Sequence, residues 1–161
     1  MIQGYLNALI NIGILKKKAV FNKRKFIYYH DSPLFDLFFY SDENYGVVEQ
    51  DLPPLFLKKV IDEKIPFHVE RFVESLAAKV YGMVPVRIDD PEIDLALTSF
   101  NKLRIVGEVK WKKVSQSEVK EVEKKLGQFD AKRLLVVPDK EGLSSDVLTI
   151  CEPMDLLRGI V

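Results

Sequence analysis

The chain has 161 residues and a mass of 18.5 kDa, which fits one domain or one domain with a small appendage. Its composition, 47% hydrophobic and 30% charged, is ordinary for a folded soluble protein, and no apolar run reaches the ~20 residues of a membrane span. The single cysteine, Cys151, excludes an internal disulfide and argues against a zinc site. The first residues lack the pattern of a signal peptide, so we expect a cytoplasmic protein with no membrane partner.

The charge of the chain is balanced overall but unevenly distributed. The 24 basic and 24 acidic residues give a net charge of zero, yet residues 1–30 contain six basic residues and no acidic one. The remaining chain therefore carries 18 basic against 24 acidic residues. This asymmetry predicts a basic arm on an acidic body, and such arms bind nucleic acid phosphates. The basic residues of the arm are Lys16, Lys17, Lys18, Lys23, Arg24 and Lys25. The alternative for the same residues is a solvated hairpin face without a partner.

The N-terminal residues predict a helix followed by a hairpin. Apolar residues at helical spacing indicate a helix over residues 2–12, which Gly13 ends. Two strand-like runs, residues 14–20 and 25–30, flank a turn at residues 22–24. A short helix that leads into a basic hairpin resembles the second half of a winged helix-turn-helix.

Two further helices are predicted before the middle of the chain. The first begins at Ser32-Pro33, reaches about residue 40 and is rich in aromatic residues. Its apolar residues have helical spacing, so we expect them to pack in the core. The second follows Pro53-Pro54 and covers residues 55–61.

The second half of the chain predicts alternating helices and strands. The pattern is clearest in the helix at 67–81, whose predicted buried stripe is Val69, Phe72, Val73, Leu76 and Val80. The elements predicted after it are a strand at 83–88, a pair of strands within 92–111, a helix from the capping box at 115–118 to Gly127, strands at 133–137 and 147–151, and a helix at 153–157.

The paired strands within 92–111 carry the candidate chemistry. Strict alternation puts Ile93 on one face with Leu95 and Leu97, and puts Leu103 on one face with Ile105.

The register of this pair brings two carboxylates together. A three-residue loop, Phe100-Asn101-Lys102, would place Ser99 opposite Leu103 and Asp94 opposite Glu108. Facing Cβ atoms lie roughly 4.5–5.5 Å apart, so both carboxylates can hold one Mg²⁺ ion. Lys110 lies on the same face, within reach of a bound phosphate. The alternative is a hairpin whose outward face is merely charged.

An Asp followed by Glu-x-Lys on the next strand resembles the PD-(D/E)XK nucleases, and so does the αβββαβ element order that begins at residue 67. The resemblance implies a mixed α/β (α+β) fold with a restriction-endonuclease-like core. It also implies a site for Mg²⁺ or Mn²⁺. The metal ligands would be Asp94, Glu108 and the Val109 carbonyl, and the catalytic residues would be Lys110 and Glu74, with Glu70 as the substitute for Glu74.

Nearly the whole chain resembles the C-terminal portion of archaeal-type ATPases, in which a winged helix and a nuclease-like domain follow the P-loop domain. The matching segments are YLNALINIGIL, the basic hairpin, DSPLF, EIDLAL and GEVKW, in that order. The resemblance divides the chain into a partial winged helix (1–45), a helical connector (46–66) and a nuclease-like domain (67–161). No Gly-x-x-x-x-Gly-Lys-Ser/Thr motif occurs, so this chain has no ATP site, and Ile93 replaces the proline of the nuclease motif.

Three functions therefore stay open at this stage. The first is metal-dependent hydrolysis of a phosphodiester in nucleic acid, with DNA ahead of RNA. The second is a catalytically inactive DNA- or protein-binding module of a larger ATPase. The third is an oligomerisation domain, in which a homodimer forms through the aromatic helix and the incomplete winged helix.

Overall fold

The structure, a computed structural model, describes residues 2–51 and 53–159. Met1, Leu52, Ile160 and Val161, which the predicted segments include, lie outside the described residues. The described residues form five helices and eight strands. In chain order these are α1 (Ile2–Asn11), β1 (Leu15–Val20), β2 (Phe26–His30), α2 (Pro33–Tyr45), α3 (Pro54–Tyr81), β3 (Val84–Asp89), β4 (Glu92–Ile93), β5 (Leu95–Ser99), β6 (Lys102–Val109), α4 (Gln116–Leu126), β7 (Lys132–Val136), β8 (Thr149–Cys151) and α5 (Pro153–Leu157).

All the strands of the described residues belong to one mixed sheet. Its order is β2-β1-β3-β5-β6-β7-β8, and the short strand β4 pairs with β3 outside this path. The pairs β3–β5 and β5–β6 are antiparallel, whereas β6–β7 and β7–β8 are parallel. A parallel connection needs a crossover, which α4 supplies between β6 and β7. The predicted mixed α/β class is confirmed.

The central strands of the sheet are buried on both faces. On one face, Val119, Val122 and Leu126 of α4 pack on Val106 and other side chains of the sheet. On the other face, α3 and α5 cover Leu95, Leu97, Ile105 and Val109. Strands covered on both sides read as continuous apolar runs, and β7 is the clearest example, with Leu134, Leu135 and Val136 fully buried.

The basic hairpin β1–β2 is an extension of the main sheet. Strand β1 runs parallel to β3, with Ala19 opposite Val86 and Val20 opposite Arg87. The predicted segments 1–45 and 67–161 therefore both contribute strands to the same sheet. The division of the chain at residues 45 and 66 stays a prediction.

Helix α3 is longer than predicted. We expected separate helices at 55–61 and 67–81, but α3 is continuous over 28 residues and contains Pro66 in its interior. Proline cannot donate to the carbonyl of Asp62, four residues earlier. Asp62 and Pro66 are both exposed, so water can satisfy that carbonyl, and the helix continues. Burial of Val60 before the proline and of Val73 after it holds both halves on the body of the protein.

The β5–β6 hairpin has a shorter loop than predicted, yet it keeps the predicted register at the site. Only Phe100 and Asn101 form the loop, both with positive φ, and Ser99 pairs with Lys102 instead of facing Leu103. Two positive φ values are the signature of a two-residue type I′ turn. The register then shifts by one residue, and Leu95 pairs with Gly107. A β-bulge on β6 accounts for the shift and cancels the error in loop length.

Two side chains lie on the opposite face from the prediction. Leu103 packs with the α4 side of the sheet, whereas Ile105 belongs to the α3 side. The bulge between them breaks the strict alternation. Ile93 also lies on the α4 side, away from Leu95 and Leu97, because the strand is interrupted at Asp94 between β4 and β5.

The N-terminal helices leave much apolar surface uncovered. Helix α1 has no buried residue. Helix α2 extends to Tyr45, five residues beyond the prediction, and its residues Leu34, Phe35, Phe38 and Phe39 are exposed. The expectation that this aromatic helix packs in the core is wrong, because α2 contacts the body mainly through α3 and β2.

The helices of residues 2–51 and 53–159 were also compared with the requirements of a membrane span. None of them combines the length and the apolar character needed to cross a bilayer.

Candidate functional site

The candidate site lies where the strand β4–β5 is interrupted. Leu95 pairs with Gly107, and the next pair along this register would be Asp94 and Glu108. The Val109 N–H donates a hydrogen bond of 2.9 Å to Oδ2 of Asp94, which fixes the carboxylate beside the end of β6. At the interruption, this backbone donor of β6 thus binds a side chain. Asp94, Glu108 and Val109 are therefore neighbours.

Gly107 explains how Glu108 comes to lie so close to β7. A Cβ atom at Gly107 would be 3.0 Å from the Leu134 carbonyl oxygen and 3.2 Å from the Leu134 Cβ atom. Any larger residue would push β6 and β7 apart. The glycine of the GEVKW segment thus permits a tight parallel pair in front of the carboxylate.

Glu108 is buried, with 2% of its surface exposed, and two lysines neutralise it. Nζ of Lys125, on α4, lies 2.6 Å from Oε1, and Nζ of Lys110 lies 3.3 Å from Oε2. A buried carboxylate needs such partners, because an unpaired charge away from water is costly. The sequence interpretation did not include Lys125. A signal was present, since Lys125 follows the buried Val122 by three residues and so lies at the edge of the buried face of α4.

Lys110 lies among three carboxylates. Burial lowers the pKa of Lys110, but the negative charges of Glu108, Asp94 and Glu70 outweigh it, and the pKa lies above its ordinary value. The ammonium group therefore stays charged at neutral pH. Its position beside Glu108 is the one that the Glu-x-Lys spacing predicts.

Two of these carboxylates bind protons more tightly than usual. Burial raises the pKa of Asp94, and the charge of Glu108 raises it further, against the hydrogen bond from Val109 that lowers it. Burial raises the pKa of Glu70 to about 7, with the charge of Asp94 as the second cause. Glu70 lies on α3, so both the α3 side and the α4 side of the sheet contribute charged groups to this end of the hairpin.

Glu74 lies one helical turn from Glu70 but has a different partner. It is buried, and its Oε2 accepts a hydrogen bond from Nζ of Lys18 on β1. Burial raises the pKa of Glu74, and the charge of Lys18 opposes that shift. The groups that act on Glu74 are Lys18, Arg71 and Arg87, whereas those that act on Glu70 are Asp94, Lys110, Glu108 and Glu92.

A cavity of about 340 Å³ adjoins these groups. Glu70, Glu74 and Asp94 line it together with Lys18. Its volume is at the lower end of the range of small-molecule sites, and its lining is more polar than most. The cavity gives a ligand access to Asp94 and to both carboxylates of α3.

The six basic residues of the predicted arm have different environments. Lys18 is 10% exposed in its side chain and paired with Glu74, so it does not belong to the exposed basic face. Lys16 pairs with Asp31 at 2.5 Å and Lys23 with Asp89 at 3.5 Å. Nζ of Lys17 lies 4.0 Å from the centre of the Phe26 ring. Arg24 and Lys25 are exposed at the turn of the hairpin.

The carboxylates suit a divalent cation of the Mg²⁺ class with few protein ligands. No set of three or more His, Cys, Asp or Glu side chains in the described ranges is arranged to hold a metal ion. Mg²⁺, however, commonly binds one or two carboxylates and completes its shell with water and phosphate oxygens. The raised pKa values of Asp94 and Glu70 reflect burial and crowded negative charge, which a cation relieves. Asp94 and Glu108 belong to the ligand class that such an ion takes, but both oxygens of Glu108 already have a lysine partner.

The chain was compared with protein-family models, with curated proteins and with solved structures. These comparisons found no match. The resemblance to the PD-(D/E)XK nucleases and to the archaeal ATPases therefore rests on the residues and segments quoted above, and it stays a prediction.

Proposed function

We propose that this protein is a nuclease-like domain of the PD-(D/E)XK type that hydrolyses phosphodiester bonds of nucleic acid with Mg²⁺ or Mn²⁺. The observation that carries the proposal is the alignment of Asp94 beside Glu108, with Lys110 at 3.3 Å from Glu108. The order α3, β3, β5, β6, α4, β7 supports it, because that order is the αβββαβ order of the nuclease core.

The roles of the residues follow from their charges and positions. Asp94, Glu108 and the Val109 carbonyl would hold the cation. A bound divalent cation polarises a phosphoryl oxygen and makes water more acidic. Nζ of Lys110 offsets the negative charge that grows on the scissile phosphate in the transition state.

The carboxylate from the helix is better assigned to Glu70 than to Glu74. Glu70 interacts electrostatically with Asp94, Lys110 and Glu108, and its pKa of about 7 lets it accept or release a proton near neutral pH. Glu74 is engaged by Lys18. We therefore expect loss of the Glu70 carboxylate to affect hydrolysis more than loss of the Glu74 carboxylate.

Hydrolysis is tested with fluorescent DNA and RNA, single- and double-stranded, in the presence of Mg²⁺ or Mn²⁺. We expect Asp94→Asn, Glu108→Gln and Lys110→Ala each to lower the rate at least about 100-fold, the order of magnitude for loss of one group that stabilises transition-state charge. The asparagine in Asp94→Asn retains an oxygen for the Val109 N–H, and the glutamine in Glu108→Gln retains most of the shape of glutamate. Both of these variants therefore keep their packing.

The matched control is Lys113→Ala, which removes an exposed lysine three residues after Lys110. It should cleave at the wild-type rate. If the wild type and all variants are equally inactive on every substrate with both metals, the proposed hydrolysis is wrong.

One observation favours a second candidate, a nuclease-like module that binds but does no chemistry. Both oxygens of Glu108 already have a lysine partner. These two ammonium groups balance the negative charge of Glu108 that a metal ion would otherwise balance. Such a module would contact DNA or a partner protein within a larger ATPase. Isothermal titration of Mn²⁺ distinguishes the two candidates, because the hydrolase predicts binding that Glu108→Gln abolishes, whereas the binding module predicts no Mn²⁺ binding.

A further inference from the structure

A second cavity adjoins the candidate site on the other side of Arg71. Its volume is about 640 Å³, and α3 and the β1–β2 hairpin form its walls. Tyr29, Arg71 and Glu74 line both cavities, so the two spaces meet at these side chains. A ligand that enters the candidate site therefore has a path along α3.

The charge of the larger cavity is positive. Its lining includes four cationic side chains and two carboxylates. Each carboxylate has a lysine partner, since Asp31 pairs with Lys16 and Glu74 pairs with Lys18. Three of the cationic side chains that line the cavity have no carboxylate within 4.0 Å among residues 2–51 and 53–159. They are Lys17, Arg71 and Lys79.

Arg71 is held in a fixed orientation without a hydrogen-bond partner in the described part of the chain. Its guanidinium lies 3.8 Å from the centre of the Tyr29 ring and 4.8 Å from that of the Phe67 ring. A stacked guanidinium keeps its N–H donors in the plane of the group, where they match phosphate oxygens. The side chain is partly buried, but its guanidinium donors are open to the cavity, where an anionic ligand can reach them.

An aromatic side chain lies beside these cations with its surface free. Phe72 lines the larger cavity and is 61% exposed, although the periodicity of α3 predicts it to be buried. Aromatic rings next to a basic groove are typical of sites for single-stranded nucleic acid, because an unpaired base can stack on the ring while the phosphates meet the cations. Bases in a duplex are already stacked and cannot use such a platform.

We propose that the larger cavity binds a single strand of nucleic acid, with a phosphate on Arg71, the flanking phosphates on Lys17 and Lys79, and a base stacked on Phe72. This inference rests on the proposed function for the identity of the ligand. It deepens that function, because it names the substrate as a single strand that leads to Asp94 and Glu108. The binding itself requires no metal and no hydrolysis.

The test is fluorescence anisotropy of a twelve-nucleotide oligo(dT) with the full chain in EDTA, over a series of salt concentrations. Three phosphate contacts predict a log–log slope near −2. We expect Phe72→Ala to weaken binding about 5-fold to 150-fold, the range for loss of one stacked base. Arg71→Met should reduce the steepness of the slope by about 0.7.

The controls are Phe100→Ala and Arg104→Met, which remove an exposed aromatic and an exposed basic side chain at the far end of the β5–β6 hairpin. Both should bind like the wild type. Circular dichroism melting verifies that the variants are folded, and Phe72→Ala removes little packing because the ring is largely exposed.

Tighter binding of a twelve-base-pair duplex, or equal effects of the Phe72 and Phe100 substitutions, would overturn the single-strand site. Because EDTA removes the metal, the outcome is independent of hydrolysis. If the wild type binds oligo(dT) in EDTA but cleaves none of the DNA and RNA substrates with Mg²⁺ or Mn²⁺, the cavity proposal stands and the hydrolase is refuted.

Discussion

At the scale of single residues, the candidate site brings several charged side chains together where they are partly or fully buried. Glu108 is one of the few charged side chains that are buried, and lysines from β6 and α4 neutralise it. Removing one member of such a group leaves an uncompensated buried charge. Asp94 and Glu70 have no comparably close cation within the described ranges, and the pKa of each is raised.

The raised pKa of Glu70 predicts how stability depends on pH. The folded state holds the Glu70 proton up to about pH 7, whereas the unfolded chain releases it near pH 4.5. The folded state therefore binds more protons between these values, and the contribution of this group to stability falls as the pH rises through that window. Glu70→Gln abolishes this loss. We expect Glu70→Gln to gain about 1–2 kcal/mol relative to the wild type between pH 5 and pH 8, after allowance for partial exposure.

Urea unfolding at pH 5, 6, 7 and 8 measures this difference. Glu141→Gln, which changes an exposed carboxylate in the loop before β8, serves as the control. Its free energy of unfolding should depend on pH in the same way as that of the wild type. Equal pH profiles for Glu70→Gln and wild type would show that Glu70 does not carry a raised pKa.

At the scale of elements, α3 links the candidate site to the N-terminal helices. Its 28 residues correspond to a length of about 42 Å. The C-terminal half covers β5 and lines both cavities, and the N-terminal half packs against α2. Pro66 lies between the two halves, where it removes one hydrogen bond of the helix.

Replacement of this proline predicts a gain in stability. An interior proline costs about 3 kcal/mol relative to alanine, and Pro66 is exposed, so Pro66→Ala loses no packing. We expect Pro66→Ala to raise the free energy of unfolding by about 1–3 kcal/mol in urea unfolding. Pro54→Ala is the control and should change stability little, because a proline in the first helical turn lacks only an N–H that has no partner there. No gain for Pro66→Ala would contradict the predicted cost of this proline.

At the scale of the whole molecule, the apolar surface of the N-terminal region is its most unusual property. Helix α1 has no buried residue, and Ile2, Tyr5 and Ile12 are more than two thirds exposed. Residues 2–15 contain no charged side chain. In a two-fold interface a patch meets its own copy, so an uncharged patch suffers no self-repulsion. We therefore predict that α1 can pack against a second copy of the chain.

Self-association is therefore expected. Analytical ultracentrifugation should show a dimer for the wild type, and Tyr5→Glu should shift it to a monomer, because a glutamate would face its own copy across the interface. Val147→Glu, at another exposed apolar residue, should remain a dimer. A monomeric wild type at high protein concentration would rule this interface out.

Local sequence signals predicted most of the elements correctly. The capping box at Ser115 forms as expected, with Glu118 accepting a hydrogen bond from the Ser115 N–H. Gly82 ends α3 in the left-handed conformation, at the predicted residue. These signals succeed because caps and turns depend on residues within one helical turn of each other. The length of the loop at Phe100 was predicted wrongly, since neither central residue is a glycine that would mark a two-residue turn.

The sequence by itself determined the mixed α/β class, the hairpin that carries Asp94 and Glu108, and the spacing that puts Lys110 beside Glu108. Only the tertiary structure decided that Lys125 reaches Glu108, that Lys18 is buried against Glu74, and that Glu70 is the helix carboxylate close to Asp94. The physical reason is the distance along the chain. Within an uninterrupted element, periodicity predicts the face on which a side chain lies. Packing of the helices on the sheet decides which distant charges meet, and burial decides how strongly they interact.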